Sequence, residues 1–326
     1  MPGKIIIKKF GGPEVMEWGE EDVPVPGAGE VLIRQTAVGL NFIDVYHRQG
    51  LYPMELPFTP GCEAVGIIEA FGSAVSGFRT GDRVGYFGAA KPGSYAEYRV
   101  WPVARLIELP ESIDDQTAAG MMLKGATAEY LVRRTYPVRS GDWVLFHAAS
   151  GGVGSIAVQW LKALGANIIA TVGSEEKAEL AKAGGASHTI LYRTDDIAEQ
   201  VREMTGGRGV DVVYDGVGKD TFEASLSSLK PRGLMVSFGN SSGPVPEFKP
   251  LLLAAKGSLY ITRPTLKDYY ASREDFKEGT AALLKVVFSG DVKISVNQTY
   301  PLREVAQAHR DLEGRKTTGS SVLLAG

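Results

Sequence analysis

The run VLFHAASGGVG, Val144 to Gly154, has the residue types and spacing to hold a doubly charged phosphate. Trp143 to Ala148 reads as a buried strand, the small residues after it as a tight turn, and Val153 to Leu164 as a helix. A helix N-terminus offers N–H groups without intrahelical partners at the positive end of the helix dipole, which favours an anion. Ala149, Ser150, Gly151, Gly152, Val153 and Gly154 follow the dinucleotide fingerprint, with Ala in place of the first glycine. The preceding strand, the following helix and a second apolar strand, Asn167 to Val172, supply the context that a glycine hexapeptide alone lacks. Close helix–strand packing without any ligand is the other use of such glycines.

The end of the second strand selects the nucleotide. A site for NAD places an Asp or Glu about 20 residues past the glycines, on the ribose hydroxyls. Here the strand runs into Gly173, Ser174, Glu175, Glu176 and Lys177, and its two end positions carry no charge. That leaves room for a 2′-phosphate, with the Ser174 hydroxyl as donor and the Lys177 ammonium one helical turn further on. NADP(H) is therefore the expected cofactor. Ser174 also suits the N-cap of the next helix, and both roles are compatible. Glu175 and Glu176 then lie in the first turn, where acids complement the dipole, although one turned back would meet the ribose.

Other polar groups are placed by the same logic. Ligands in doubly wound sheets gather at the carboxyl ends of the strands. Those ends are Tyr192 (flanking the adenine), Val217, and Phe238, Gly239, Asn240 and Ser241 (bordering the nicotinamide), then Arg263. Arg315 and Thr317 come from the tail. For all of these, loop stabilisation is the alternative. Tyr46 and Tyr52 combine a flat ring with a hydroxyl, suited to stacking an acceptor and giving up a proton, and equally suited to a core. Lys124, in MLKGATA, puts a cation where two domains should meet. There it would steady a developing oxyanion or bind a ribose; its other reading is a solvated helix residue. Asp44 either orients Asn41 or Lys124, or caps the helical turn Phe42 to Arg48. His47, beside Arg48, reads as a surface residue.

These residues need two kinds of scaffold. Up to about residue 120 the chain is rich in short strands: Lys4 to Phe10, Glu30 to Val38, Ala64 to Phe71, Arg83 to Phe87 and Ser94 to Val100. Turn signals lie at Pro24 to Gly29, Gly72 to Gly81 and Lys91 to Gly93, which together predict a compact barrel-like β domain. Ser112 with Asp115 resembles a capping box opening helices over Ile113 to Arg134. Strand–helix alternation follows, with strands at or near Trp143, Asn167, His188, Val210, Gly233 and Ser258. Helices fall at Glu175 to Ala183, Asp195 to Met204 and Asp220 to Leu229. This predicts an α/β, doubly wound parallel sheet. After Arg263 come a helix (Arg273 to Ser289), a strand (Ile294 to Tyr300), a helix (Leu302 to Glu313) and a last strand (Ser320 to Ala325). The tail is expected to rejoin the first domain, giving domains of 1–124 plus 264–326, and 125–263.

At 326 residues, 44% apolar and 22% charged, the chain has material for two ordinary cores. A net charge of −3 without a long basic run argues against a main role on nucleic acid. The one cysteine, Cys62, excludes an internal disulfide and multi-cysteine zinc sites, and fits a reducing, cytoplasmic setting. The apolar stretch in MPGKIIIKKF is too short for a signal peptide or a membrane span.

The chain resembles, essentially end to end, the medium-chain dehydrogenase/reductase superfamily, and within it the zinc-free quinone oxidoreductases related to zeta-crystallin. The resemblance rests on Gly39 to Pro53, Pro60 to Gly72, Gly81 to Phe87, Ala148 to Gly154, Val213 to Gly218 and Gly233 to Gly243. It implies a Rossmann domain beside a discontinuous GroES-like domain, and reduction of a quinone by NADPH between them. It implies for Asn41 a hydrogen bond near the nicotinamide ribose or the acceptor, where a turn residue is the plainer reading, and it sets Arg263 near cofactor or acceptor. Zinc dehydrogenases of the superfamily carry a Cys in the segment matching Gly39 to Asp44 and a His in that matching Gly61 to Glu63. Here Asn41 and Phe42 stand in the first and Cys62 replaces the His. A catalytic zinc takes three protein ligands plus an open position, and the nearby candidates are Cys62, Glu63 and His47. Cys62 reads as a small buried hydrophobe, Glu63 as the partner of a cation or a loop cap. No metal site is expected, which favours an electron-poor acceptor over an alcohol. A reductase of activated C=C bonds is the rival enzyme, and an RNA-binding or crystallin-like structural protein the rival of another class. The apolar stretch Ser258 to Arg263 should form a sheet edge, and relatives dimerise by joining such edges, so a homodimer is expected.

Overall fold

The computed structural model describes residues 1–88 and 91–326. It divides into two units: Met1–Ala126 with Tyr270–Thr280 and Ile294–Gly326, and Thr127–Tyr269 with Ala281–Lys293.

The N-terminal part of the first unit contains β1 (Gly3–Ile7), β2 (Met16–Glu20), β3 (Glu30–Leu40), α1 (Phe42–Gln49), β4 (Glu63–Phe71), β5 (Arg83–Phe87), β6 (Tyr98–Pro102) and β7 (Ile107–Glu108). β2 and β7 were not expected; the first completes a hairpin with β1, and the second is two residues on β5, too short for a pattern. α2 (Asp115–Tyr130) follows and is extended by a π-helical turn, Leu131–Thr135. Its cap differs from the expected Ser112–Asp115 pair. Asp114 accepts the Thr117 N–H at 2.9 Å, while Asp115 turns to Arg83 (2.5 Å) and the Thr36 hydroxyl (2.6 Å). The nearer acid takes the cap because its carboxylate already lies at the first free N–H groups.

The second unit is built on β8 (Trp143–Phe146), α3 (Gly152–Ala163), β9 (Asn167–Val172), α4 (Glu175–Gly184), β10 (His188–Leu191), α5 (Ile197–Met204), β11 (Val210–Asp215), α6 (Phe222–Ser228), β12 (Leu229–Ser237), α7 (Leu251–Ala255), β13 (Tyr260–Thr262) and α8 (Leu266–Tyr269). The six strands run parallel in the order β10-β9-β8-β11-β12-β13. The order reverses between β8 and β11, where a doubly wound sheet opens its ligand crevice. Leu145, Ile169, Val213 and Met235 are fully buried in its core. The edge strand is shorter than expected: Leu259 drops into the core (6% exposed), and Tyr260 stands out at 62%.

The tail supplies α9 (Arg273–Phe288), β14 (Val296–Pro301), α10 (Val305–Glu313) and β15 (Ser320–Leu324). β14 and β15 return to the first unit and complete a seven-stranded sheet, β14-β15-β3-β4-β5-β7 with β6 also on β3. The expected division put all of 264–326 there, but 264–269 and 281–293 group with the second unit. Side-chain contacts give the reason. Arg134 donates to the Tyr269 carbonyl at 2.7 Å, and Gln159 exchanges hydrogen bonds with the Lys293 backbone at 2.9 and 3.0 Å. No helix among the described residues is long and apolar enough to cross a membrane.

Candidate active site

In the second unit the β8–α3 turn has the shape that the fingerprint demands. Ala148 takes a left-handed conformation (φ 54°) that a residue with a Cβ rarely adopts. A Cβ on Gly154 would stand 2.5 Å from the Ala148 carbonyl oxygen, so only glycine lets α3 begin this close to the strand. Gly151 is the N-cap, and a glycine has no side chain with which to cap. The first-turn N–H groups around Gly152 and Val153 are thus left for a ligand anion. This cradle fits a pyrophosphate.

The corner beyond β9 fits a further phosphate. Ser174 caps α4 by accepting the Lys177 N–H at 3.4 Å, so its capping role is realised. Glu175 and Glu176 are exposed in the first turn. Tyr192, just past β10, brings its hydroxyl to the end of β9, where a Cβ on Gly173 would meet it at 2.7 Å. Gly173, Ser174, Lys177 and Tyr192 therefore share one corner of the sheet, with no carboxylate at the strand end.

The ends of β11 and β12 are organised by groups that sequence reasoning missed. Asp215, fully buried, accepts the N–H groups of Val217 (2.8 Å) and Gly218 (2.9 Å) and the hydroxyls of Thr221 and Ser225 (2.7 Å each). His147 bonds Ser225 and Thr171 from its two ring nitrogens, at 3.0 and 2.9 Å. Burial alone would raise the Asp215 carboxyl; His147, the hydroxyls and the N–H groups outweigh it and hold the group below the usual range. The segment Val213 to Gly218 was the available signal, but only the fold brings Thr221 and Ser225 to the Asp215 carboxylate. Arg263 is exposed and braces the end of β12: Nη1 donates to Ser237 Oγ (3.1 Å) and the Gly239 carbonyl (2.9 Å), and Nη2 reaches the Asn240 amide oxygen (2.9 Å). Phe238 lies 5.9 Å from Phe146, between ring centroids, at the same strand ends as Val217 and Ser241.

The first unit holds the second cluster, and it centres on Glu63. One carboxylate oxygen accepts the Asn41 amide at 2.7 Å and the Lys124 ammonium at 2.9 Å; the other accepts the Leu123 N–H at 2.6 Å. Lys124 is buried (5% exposed), not solvated. Asn41 is the N-cap of α1, and Asp44 Oδ2 accepts its backbone N–H at 2.9 Å, which is the capping alternative for Asp44. Burial pushes the Asp44 carboxyl up to about 7 against the hydrogen bonds from Tyr95 and Asn41. Tyr46 is buried and Tyr52 half-buried, with ring centroids 5.2 Å apart in an edge-to-face pair.

His47 corrects the expectation of a surface residue. It is 4% exposed, because α1 buries the whole segment from Asp44 to Arg48. Burial lowers its imidazole to about 4. Arg48, fully buried, donates to the Gly11 carbonyl (3.1 Å) and meets His309 (2.9 Å) and Glu313. Arg315 lies in the tail, exposed, in a left-handed conformation (φ 58°).

Among the described residues, Asp44, His47 and Cys62 could approach a cation, with one ligand atom each within 4.8 Å of the others. Of these donors Cys62 fits a catalytic zinc least. Burial drives the Cys62 thiol well above its ordinary range, away from the thiolate that a metal binds. Asp44 Oδ2 is occupied by Asn41 and by the Tyr95 hydroxyl at 2.9 Å, whereas Asp44 Oδ1 and His47 Nδ1 are buried without a hydrogen-bond partner among the described residues. Glu63, the remaining candidate, is occupied by three donors including a cation.

Two family models match the chain: an alcohol dehydrogenase GroES-like domain over residues 27–111, and a zinc-binding dehydrogenase model over residues 152–285. A quinone oxidoreductase of Pseudomonas aeruginosa is 49% identical, covering 99% of this chain and 100% of its own. A 2-haloacrylate reductase of Burkholderia sp is 46% identical, with 98% of both chains covered. The crystal structure of Escherichia coli quinone oxidoreductase complexed with NADPH superimposes with a TM-score of 0.96 at 46% identity, covering 99% of each chain.

Proposed function

The chain belongs to the quinone oxidoreductases of the medium-chain dehydrogenase/reductase superfamily, and from that premise we propose that it reduces quinones with NADPH. The observation that carries the reading is the corner beyond β9, with Lys177 nearby and no carboxylate at the strand end, in a chain 49% identical throughout to a quinone oxidoreductase. NADP(H) is the cofactor, and when bound it supplies a hydride. The turn at Gly151 to Gly154 holds the pyrophosphate. Ser174 and Lys177 take the 2′-phosphate, and Tyr192 flanks the adenine. Asp215 and Arg263 hold in place the strand ends whose residues, Val217, Phe238, Asn240 and Ser241, border the nicotinamide. Lys124 steadies negative charge on the acceptor oxygen, Asn41 offers its amide oxygen to a hydroxyl of the ribose or of the reduced acceptor, and Tyr46 and Tyr52 provide a flat apolar face with hydroxyl protons at its rim. Arg315 contributes from the tail.

The test compares NADPH with NADH oxidation on 1,4-benzoquinone, 9,10-phenanthrenequinone and an enal, for wild type and Lys177→Ala. Quinone-dependent NADPH turnover is expected, with the KM for NADPH raised about 10- to 100-fold in the variant and NADH kinetics unchanged, the size of a lost charge-assisted hydrogen bond. Equal use of NADH and NADPH, with no effect of Lys177→Ala, would overturn the phosphate assignment. Turnover of the enal alone would move the substrate to activated C=C bonds, the reading favoured by the 2-haloacrylate reductase relative. A homodimer joined through β13 is supported by its single strand partner, β12, and by the exposed Tyr260. The one buried free cysteine suits the reducing cytoplasm.

A further inference from the structure

We infer that Glu63 is a positioning residue for acceptor reduction, the carboxylate that fixes where Asn41 and Lys124 present their polar groups. This rests on the quinone reductase reading. Glu63 is fully buried, and among the described residues Lys124 is the one cation it pairs with. Its two oxygens take three donors from two places in the chain: the Asn41 amide at the N-cap of α1, and the Leu123 N–H and Lys124 side chain of α2. β3 leaves space for this carboxylate. A Cβ on Gly39 would stand 2.1 Å from Glu63 Oε1 and 2.5 Å from the Ala119 carbonyl, so the strand carries glycine where the acid lies.

The consequence is chemical. An ammonium has three donors, and that of Lys124 makes one hydrogen bond among the described residues, to Glu63. Two donors remain for an acceptor oxygen, at a position set by the salt bridge. Both amide hydrogens of Asn41 are committed, to Glu63 (2.7 Å) and to the Gly39 carbonyl (3.4 Å), which fixes the amide's orientation. Burying an ion pair adds little net stability over an apolar filling. A role in placing two polar side chains accounts for the pair where stability does not.

A double-mutant cycle with Glu63→Gln and Lys124→Met tests this on the whole protein, with NADPH and 1,4-benzoquinone. Glu63→Gln is expected to lower kcat about 100-fold, the scale of a small misplacement, with the NADPH dissociation constant, read from its fluorescence, within about threefold of wild type. The loss in the double variant is expected to fall well short of the product of the two single losses, because part of what Glu63 does runs through Lys124 and the rest through Asn41. Losses that multiply, or wild-type kcat in a folded Glu63→Gln protein, overturn the inference. Should Glu63→Gln fail to fold, Glu63→Asp keeps the charge and withdraws it by one methylene; a lowered kcat at near-native Tm supports positioning, and a native kcat overturns it. Wild type that reduces only an enal would strike the quinone reading, and the cycle is then decided on the enal.

Discussion

Asp44 and His309 lie in one buried hydrogen-bonded line, joined by the Tyr95 hydroxyl at 2.9 and 3.1 Å, yet they respond to pH in opposite directions. The His309 imidazole is lowered to about 3 by burial and by Arg48, and the His47 imidazole to about 4 by burial. The unfolded chain binds protons at these histidines from about pH 6.5 downward while the folded chain does not. Their contribution is thus fully present above pH 6.5 and is lost as pH falls through that window. Asp44, raised to about 7, does the reverse: the folded chain keeps its proton, and that advantage is lost as pH rises from about 4 to 7. Each group alone gives a slope of about 1.4 kcal/mol per pH unit. His309→Gln is expected to flatten the acid side of a stability–pH curve measured by urea unfolding. Asp44→Asn is expected to gain on wild type between pH 5 and 8. Parallel curves for wild type and His309→Gln would refute the assignment.

At the scale of elements, α2 carries Lys124 and Leu123 to Glu63, so its N-terminus matters to the site. Asp114→Ala is expected to cost about 1 kcal/mol in urea unfolding, the worth of an N-cap, and Ser112→Ala close to nothing. Equal losses would return the cap to Ser112. The elements themselves were largely legible. β9 begins and ends where the alternation of apolar runs put it, and α4 begins at Glu175 after the Ser174 cap. These features depend on periodicity and capping between near neighbours. β7 was not legible, because two residues in a strand carry no period, and its place is set by pairing with β5.

For the whole molecule, the NADPH and dimer proposals have observables that need no turnover. At 100 times its dissociation constant a ligand that binds only the folded state adds about 2.7 kcal/mol. NADPH should therefore raise Tm by several degrees, and NADH at the same concentration by less. Equal shifts would count against selection for the 2′-phosphate. Tyr260→Lys, on the exposed face of β13, should lower the mass measured by light scattering to that of one chain. Leu259 is unsuitable for this test because it belongs to the core. An unchanged dimer in Tyr260→Lys would move the interface elsewhere.

The sequence by itself determined the glycine turn, the uncharged end of β9 and the parallel sheet, since each is a pattern within a few dozen residues. Only the tertiary structure decided the partners. Glu63 meets Asn41 across 22 residues and Lys124 across 61, and Arg48 meets His309 across 261. Such pairs depend on strand register and on the path of the tail, and no local period encodes either. His47 makes the same point, because a histidine beside an arginine looks solvated until α1 is packed and the whole segment turns inward. The chemistry of a residue type is written in the chain, but its burial, and with it the protonation and the partner, belongs to the packed fold.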